Sequence, residues 1–241
     1  MTKKVLILVG IPHFDYSNEK SAVCSFLLEI KKAYKDKGVN VEFPPFKKSK
    51  TVIVQNENQN SIIEKLKLVL KKWPWLYQSI VHRAYFKEQD VLYNELSNLK
   101  GFTHIVEFHT VGSTIGKKLS ELWDAKLSVI FDSPVDEQFL EMHGTKSSYW
   151  GRIKESERIT LEAANRIMVY SPACQEFIKN KYQIDCSITI LPCVINKGTV
   201  KNESEPRSEF IIGFIGSFLS WHKVELLVKA YKVFNEKCTP V

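Results

Sequence analysis

Apolar residues along this chain fall into short continuous runs, and between the runs they recur at helical spacing. Val5-Leu-Ile-Leu-Val9 is the first run and reads as a buried strand. After a loop at residues 10–18, Val23, Phe26, Leu27, Ile30 and Tyr34 mark one face of a helix, which Gly38 ends as a C-cap. Residues 39–43 alternate and predict a second strand, so a βαβ unit opens the chain. Ser61 is placed to cap a helix carrying Ile62, Ile63, Leu66, Val69 and Leu70 on one side. Trp73-Pro-Trp-Leu-Tyr77 ends that helix and starts another through Val81 and Phe86.

The alternation of runs and helical patterns continues. Residues 101–109 predict a strand, and residues 110–113 turn into a helix through Ile115, Leu119 and Leu122. A strand at 127–131 ends in the polar turn 132–138. Trp150, Ile153, Glu157, Leu161, Ala164 and Ile167 predict a long helix running into a strand at 167–170, and Ser171 caps a helix over 173–181. A strand at 188–192 precedes the polar stretch 197–207. The run at 210–215 then reads as a strand that Gly216 and Ser217 break, a loop with Trp221 and His222 follows, and Val224, Leu227, Val228 and Tyr231 return to helical spacing.

Strands alternating with helices predict the α/β class, a Rossmann-like parallel sheet with helices on both faces. The expected organisation is one domain over residues 1–195, a linker at 196–207, and over 208–241 the first strand-turn-helix of a second, incomplete Rossmann-like domain. With 241 residues and 44% hydrophobic content, the chain can bury at least one sizeable core. No run approaches the ~18 apolar residues of a membrane span. The N-terminal run is too short and wrongly bordered for a signal peptide, so a cytoplasmic protein is expected. Five cysteines (24, 174, 186, 193 and 238) without CxxC spacing read as reduced thiols rather than a metal or disulfide framework.

Charge changes the picture in one place. The net charge is +7, and residues 1–100 alone hold 17 Lys/Arg against 10 Asp/Glu, a balance of +7. Lys65, Lys67, Lys71 and Lys72 adjoin Trp73 and Trp75. One reading is a patch on an anionic membrane surface, lysines at head-group level and tryptophans at the boundary, which would hold the protein on the inner face of the membrane. The other is a first-domain helix with a solvated basic face. No nucleic-acid-binding motif is present.

Ligands of an open parallel sheet bind outside the carboxyl ends of its strands. Glu107, His109, Asp132 and Ser133 lie near two such ends. A carboxylate at 132 could orient an acceptor or take up its hydroxyl proton, or simply cap a helix or form an Asx-turn before Pro134. His109 could equally be a packing or surface residue. The strand at 210–215, the Gly216-Ser217 turn and the helix after it read as the opening of a mononucleotide-binding α/β unit. No P-loop, HExxH, GxSxG or cysteine–histidine metal spacing is present, and no metal or cofactor is expected.

Three phrases resemble glycosyltransferase family 4, retaining enzymes with the two-domain GT-B fold. The turn Gly216-Ser-Phe-Leu-Ser-Trp-His-Lys-Val224 is close to a family turn ending Trp-His-Gly-Val, with Lys223 in place of the glycine. Residues 157–172 resemble the family phrase "ER-x-x-L-x-x-A-D-x-I-x-x-V-S", with Asn165 for its Asp, and residues 188–196 match as well. Val106-Glu-Phe-His109 stands where one branch reads Tyr-Glu-Arg-Tyr, and other branches place a histidine where Asp132 sits. The family's glycines and histidine at the first helix are Ser21, Ala22 and Phe26 here.

The resemblance implies a retaining transferase with a nucleotide-diphosphate sugar as donor substrate and a glycan or lipid-linked acceptor. It places Asp132, Glu107 and His109 on the acceptor and catalytic side, and Gly10, Gly216, Ser217 and His222 toward the donor. A family pair of glutamates seven residues apart would lie beyond Val241, so the chain is expected to be a fragment without activity of its own. The alternative function is a non-catalytic α/β binding module docking through its basic face on a membrane or an anionic partner.

Overall fold

The computed structural model describes residues 3–11, 14–18, 21–45, 72–192, 211–214 and 222–238. Six strands form one sheet: β1 (Lys4–Val9), β2 (Asn40–Glu42), β3 (His104–Phe108), β4 (Lys126–Phe131), β5 (Arg166–Val169) and β6 (Ser187–Ile190). Their order is β2-β1-β3-β4-β5-β6, and every neighbouring pair is parallel. The helices are α1 (Ala22–Asp36), α2 (Pro74–Ser97), α3 (Ile115–Trp123), α4 (Val135–His143), α5 (Trp150–Glu162), α6 (Pro172–Tyr182) and α7 (Val224–Cys238).

Period-two alternation decides which face each strand residue joins. Val5, Ile7 and Val9 of β1 pack with Val106, Phe108 and Ile130 under Phe26 and Leu27 of α1. Leu6 and Leu8 point the other way and join Ile105, Leu127, Val129, Phe131, Ile167 and Val169. That second layer is closed by Leu96 of α2, Ile115 and Leu119 of α3, Leu161 of α5 and Ile178 of α6. The chain thus builds the expected α/β sandwich, with α1 on one face and most other helices on the opposite one. Crossover handedness explains the division: the sheet first steps outward from β1 to β2, then reverses and grows from β3 to β6. The reversal leaves a switch point between β1 and β3, where loops diverge and a crevice opens.

Local signals set several boundaries. The Ser21 hydroxyl accepts the Cys24 N–H at 3.4 Å and starts α1, and Gly38, at φ +71°, ends its last turn. The Ser171 hydroxyl accepts the Cys174 N–H at 3.2 Å and starts α6, with Pro172 in its first turn. Asn165 stops α5 short of the long helix read from the periodicity. Its N–H donates to the Leu127 carbonyl, and its Oδ1 accepts the Leu127 N–H, both at 2.8 Å. An aspartate could accept that N–H in the same way. Two other helices differ from the sequence reading: α2 runs on to Ser97, and the polar turn after β4 contains α4.

The strand expected at 210–215 is not part of a ladder in its described residues, 211–214. A parallel strand exists only through a neighbour's N–H and C=O groups, and β6 closes the described sheet without them. The helix expected after the turn is present as α7. The helix read at residues 62–70, with Lys65, Lys67 and Lys71, lies outside the described residues, as do Gly216 and Ser217.

One packing feature gives a test of the fold. A Cβ on Gly116, in the first turn of α3, would come within 2.2 Å of Glu107 Oε2 and 3.0 Å of Leu127 Cδ1. Helix propensity alone predicts that Gly116→Ala stabilises the protein by about 1 kcal/mol. Overpacking against β3 and β4 predicts the opposite sign, a loss of about 1–3 kcal/mol. The denaturant midpoint of Gly116→Ala should therefore fall, with an unchanged m-value.

Candidate functional site

The crevice at the switch point is built from residues just past the strand ends. Gly10, the first residue after β1, donates its N–H to the Phe108 carbonyl at 3.3 Å. A Cβ here would lie 2.4 Å from the Ser113 side chain and 2.5 Å from Thr110 Oγ1, so only glycine lets the loops after β1 and β3 meet. The Gly10 carbonyl accepts two hydrogen bonds from α2, from Tyr85 Oη at 2.9 Å and from Gln89 Nε2 at 3.1 Å. On the α1 side, Tyr16 stacks on Phe43 with centroids 4.8 Å apart and meets Phe14 edge-on at 4.9 Å. Tyr16 Oη accepts the Val9 N–H at 2.8 Å, and burial pushes this phenol well above its ordinary pKa.

Glu107 and His109 share one face of the sheet because they are two residues apart at the end of β3. Glu107 is fully buried. Its carboxylate accepts the Ser113 hydroxyl at 2.5 Å and the Gly116 N–H at 3.0 Å, at the positive end of α3. Burial raises its pKa to about 7 in spite of those two bonds, which pull it down. His109 is buried too, its ring stacked on Phe131 with centroids 6.2 Å apart. Neither ring nitrogen has a hydrogen-bond partner among the described residues, and Nε2 stands 3.8 Å from Glu157 Oε2. Burial lowers the imidazole to about 4, opposed by the charge of Asp136.

Asp132 differs from both. It is the first residue after β4 and solvent reaches it. Partial desolvation by the surrounding loops raises its carboxyl pKa. It does not cap α4: the residue before that helix is Pro134, which has no side-chain donor or acceptor to offer. The three residues thus lie at the ends of neighbouring strands, with Asp132 open to solvent and Glu107 and His109 buried. Of the donor-side candidates, His222 is exposed, with its ring 6.0 Å from Phe214. Next to it Lys223 adopts φ 49°, the left-handed conformation that glycine favours, and its ammonium pairs with Glu141 of α4.

A partly buried ionic cluster beside His109 escaped the sequence reading. Lys181 Nζ lies 3.0 and 3.1 Å from the two oxygens of buried Asp136, 3.5 Å from Glu137 and 3.6 Å from Glu157. Glu157 also accepts the Tyr182 hydroxyl. Burial alone would lower the Lys181 pKa, but the bond to Asp136 and the neighbouring carboxylates outweigh it and raise it. The sequence did carry a signal: Glu157 sits between Ile153 and Leu161 at spacing i±4, a charge in the apolar stripe of α5. A similar signal lay in α2, where Gln78, His82, Tyr85 and Gln89 recur at helical spacing. Among the described residues no group of three or more His, Cys, Asp or Glu is placed to hold a metal ion.

No protein-family model matches the chain, and no curated protein matches it either. Among solved structures it is similar to Arabidopsis thaliana UGT89C1 complexed with UDP-L-rhamnose, at 13% identity and a TM-score of 0.39, over 82% of this chain and 50% of that one. It is similar also to the same Arabidopsis protein complexed with UDP, at 13% identity and a TM-score of 0.38 over the same shares. The chain spans about half the length of these structures.

Glu107 and His109 titrate in opposite senses, and this can be measured. A carboxyl raised to about 7 contributes stability that is full below its ordinary 4.5 and is lost as pH rises through 7. An imidazole lowered to about 4 contributes stability that is full above its ordinary 6.5 and is lost as pH falls through 4. Between those limits the two slopes, each up to about 1.4 kcal/mol per pH unit, oppose one another. Relative to wild type, Glu107→Gln should gain stability as pH rises from 4.5 to 7. His109→Phe should gain it as pH falls from 6.5 to 4. Denaturant titrations at a series of pH values read both.

Proposed function

We propose that this chain is the acceptor side of a glycosyltransferase that moves a sugar from a nucleotide-diphosphate donor to a hydroxyl acceptor. The observation that carries the reading is Asp132: a solvent-accessible carboxylate with a raised pKa, just past the carboxyl end of β4 in a doubly wound parallel sheet. The resemblance of residues 157–172 and 216–224 to family 4 supports it, and with it a retaining mechanism. Asp132 orients the acceptor hydroxyl and takes up its proton, a role for which a carboxyl displaced toward neutral pH is suited. His109 and Glu107 stay in the protein interior. They hold the end of β3 and the start of α3 in place beneath the acceptor.

On this reading the donor diphosphate is drawn to the Gly216-Ser217 turn near His222, and further residues hold the sugar. The described residues around Asp132 then supply the acceptor side of the cleft. Incubated with UDP-sugars, UDP-L-rhamnose first among them, and with hydroxylated acceptors, the chain should release no more UDP than its Asp132→Ala variant does. Release above that control would overturn the placement of the site. In a protein that carries the sugar-holding residues as well, Asp132→Ala should lower kcat by about 100- to 10,000-fold with the fold intact by circular dichroism.

A further inference from the structure

Two side chains of α6 reach the loop that carries Asp132, and they reach it at its two ends. Cys174 Sγ donates to the Asp132 carbonyl at 3.7 Å. Lys181 Nζ donates to both carboxylate oxygens of Asp136, at 3.0 and 3.1 Å. As residues i and i+7 they share one face of the helix, about 10.5 Å from one another along its axis. The segment from Asp132 to Asp136 spans at most about 14 Å when fully extended, so helix and loop match in length. Pro134, at φ −64°, stiffens the middle of the loop. The helix itself is fixed to the sheet: Ile178 is buried in the core, and Gln175 Nε2 donates to the Ile188 carbonyl of β6 at 3.1 Å.

Of the two grips, the one at Lys181 is the stronger, an ammonium on a carboxylate whose side chain is only 3% exposed. The rings of Phe177 and Tyr182, 4.8 and 5.2 Å from Nζ, flank the ammonium and give it a direction. Glu137 and Glu157 lie farther off than Asp136, at 3.5 and 3.6 Å. We propose that Lys181 is a positioning residue for Asp132: through Asp136 it draws the start of α4 onto α6 and so holds the loop where the Asp132 carboxylate meets an acceptor hydroxyl. The proposal rests on the acceptor-side reading of Asp132 given above. An ion pair that served stability alone would have no reason to be matched by a second contact at the Asp132 carbonyl, two helical turns away on the same face. The partial desolvation that raises the Asp132 carboxyl follows from the same arrangement, since a loop held against α6 gives up part of its water.

Carboxyl-carbon NMR titration of Asp132 in the 241-residue chain, together with amide hydrogen exchange over residues 133–137, tests it. In Lys181→Met the Asp132 titration should fall toward the ordinary carboxylate range as the loop leaves α6 and water returns. Exchange over 133–137 should quicken about tenfold or more. Lys181→Arg keeps a cation with several donors and should restore both readouts. Leu119→Ala, a core truncation in α3, should lower the melting temperature and leave both as in wild type. Where Lys181→Met does not fold, the pair Lys181→Met, Asp136→Leu removes the tether without stranding a carboxylate at 136, and Glu157 keeps the Tyr182 hydroxyl. The same two readouts then apply. Wild-type titration and exchange in the variant that folds would overturn the proposal and leave Lys181 a stabilising ion pair only. So would equal changes in Leu119→Ala, or a failure of Lys181→Arg to restore them. Neither readout involves a sugar, so that result leaves the transferase reading standing, and the transferase reading is tested separately by UDP release.

Discussion

A carboxylate enclosed in a parallel sheet must be answered from within the protein, because an unpaired charge there costs several kcal/mol. Glu107 is answered by the Ser113 hydroxyl and the Gly116 N–H, and much of the strand-end geometry follows from that arrangement. Gly116 has to lack a side chain for its backbone to come so close. Ser113 has to sit above β3, and its carbonyl is held there by Thr160 Oγ1 of α5 at 2.9 Å. With Ser113 fixed, Gly10 has to be glycine as well. Its carbonyl then becomes the point to which α2 is tied. One buried acid therefore connects β1, β3, α2, α3 and α5 at the switch point.

A second polar assembly sits one strand further along and serves a different end. Lys181 of α6 gathers Asp136 and Glu137 from the start of α4 and Glu157 from α5. Three carboxylates around one ammonium form a hub, and taking away the ammonium would strand buried Asp136 at a cost of about 3–5 kcal/mol. The loop bearing Asp132 lies between the end of β4 and the anchored start of α4. An exposed carboxylate on a short tether fixed at both ends keeps its position.

The architecture was legible from the chain because parallel strands buried on two faces appear as near-continuous apolar runs, as at residues 5–9 and, but for Ser128, at 127–131. Helix ends were legible where a side chain performs the capping, as with Ser21 and Ser171. They were missed where the stop is made by tertiary contact, as at Asn165, whose partner Leu127 is 38 residues away. The candidate site was legible as a set of strand-end positions. Its burial was not, since Glu107 and Asp132 are both acids after apolar runs and only the packing of α3 separates a sealed carboxyl from an open one. The strand read at 210–215, described over 211–214, shows the reverse limit. An apolar run predicts a strand's composition, but a ladder needs a neighbour that composition does not name.

The pairing of β1 also has a consequence for the order in which the fold is made. Its earliest partner in the chain is β2, which offers three residue pairs at one edge. Its main partner is β3, with Val5 matched to His104 and five pairs in all at a sequence separation of 99. Closing so long a loop is entropically costly before any contact repays it, and topologies rich in such contacts fold slowly. β1, the most thoroughly buried strand, must wait for β3 before its second edge is covered. In the interval the backbone N–H and C=O groups of that edge are open to other chains, with apolar side chains on both faces, so the folding protein is exposed to mispairing there.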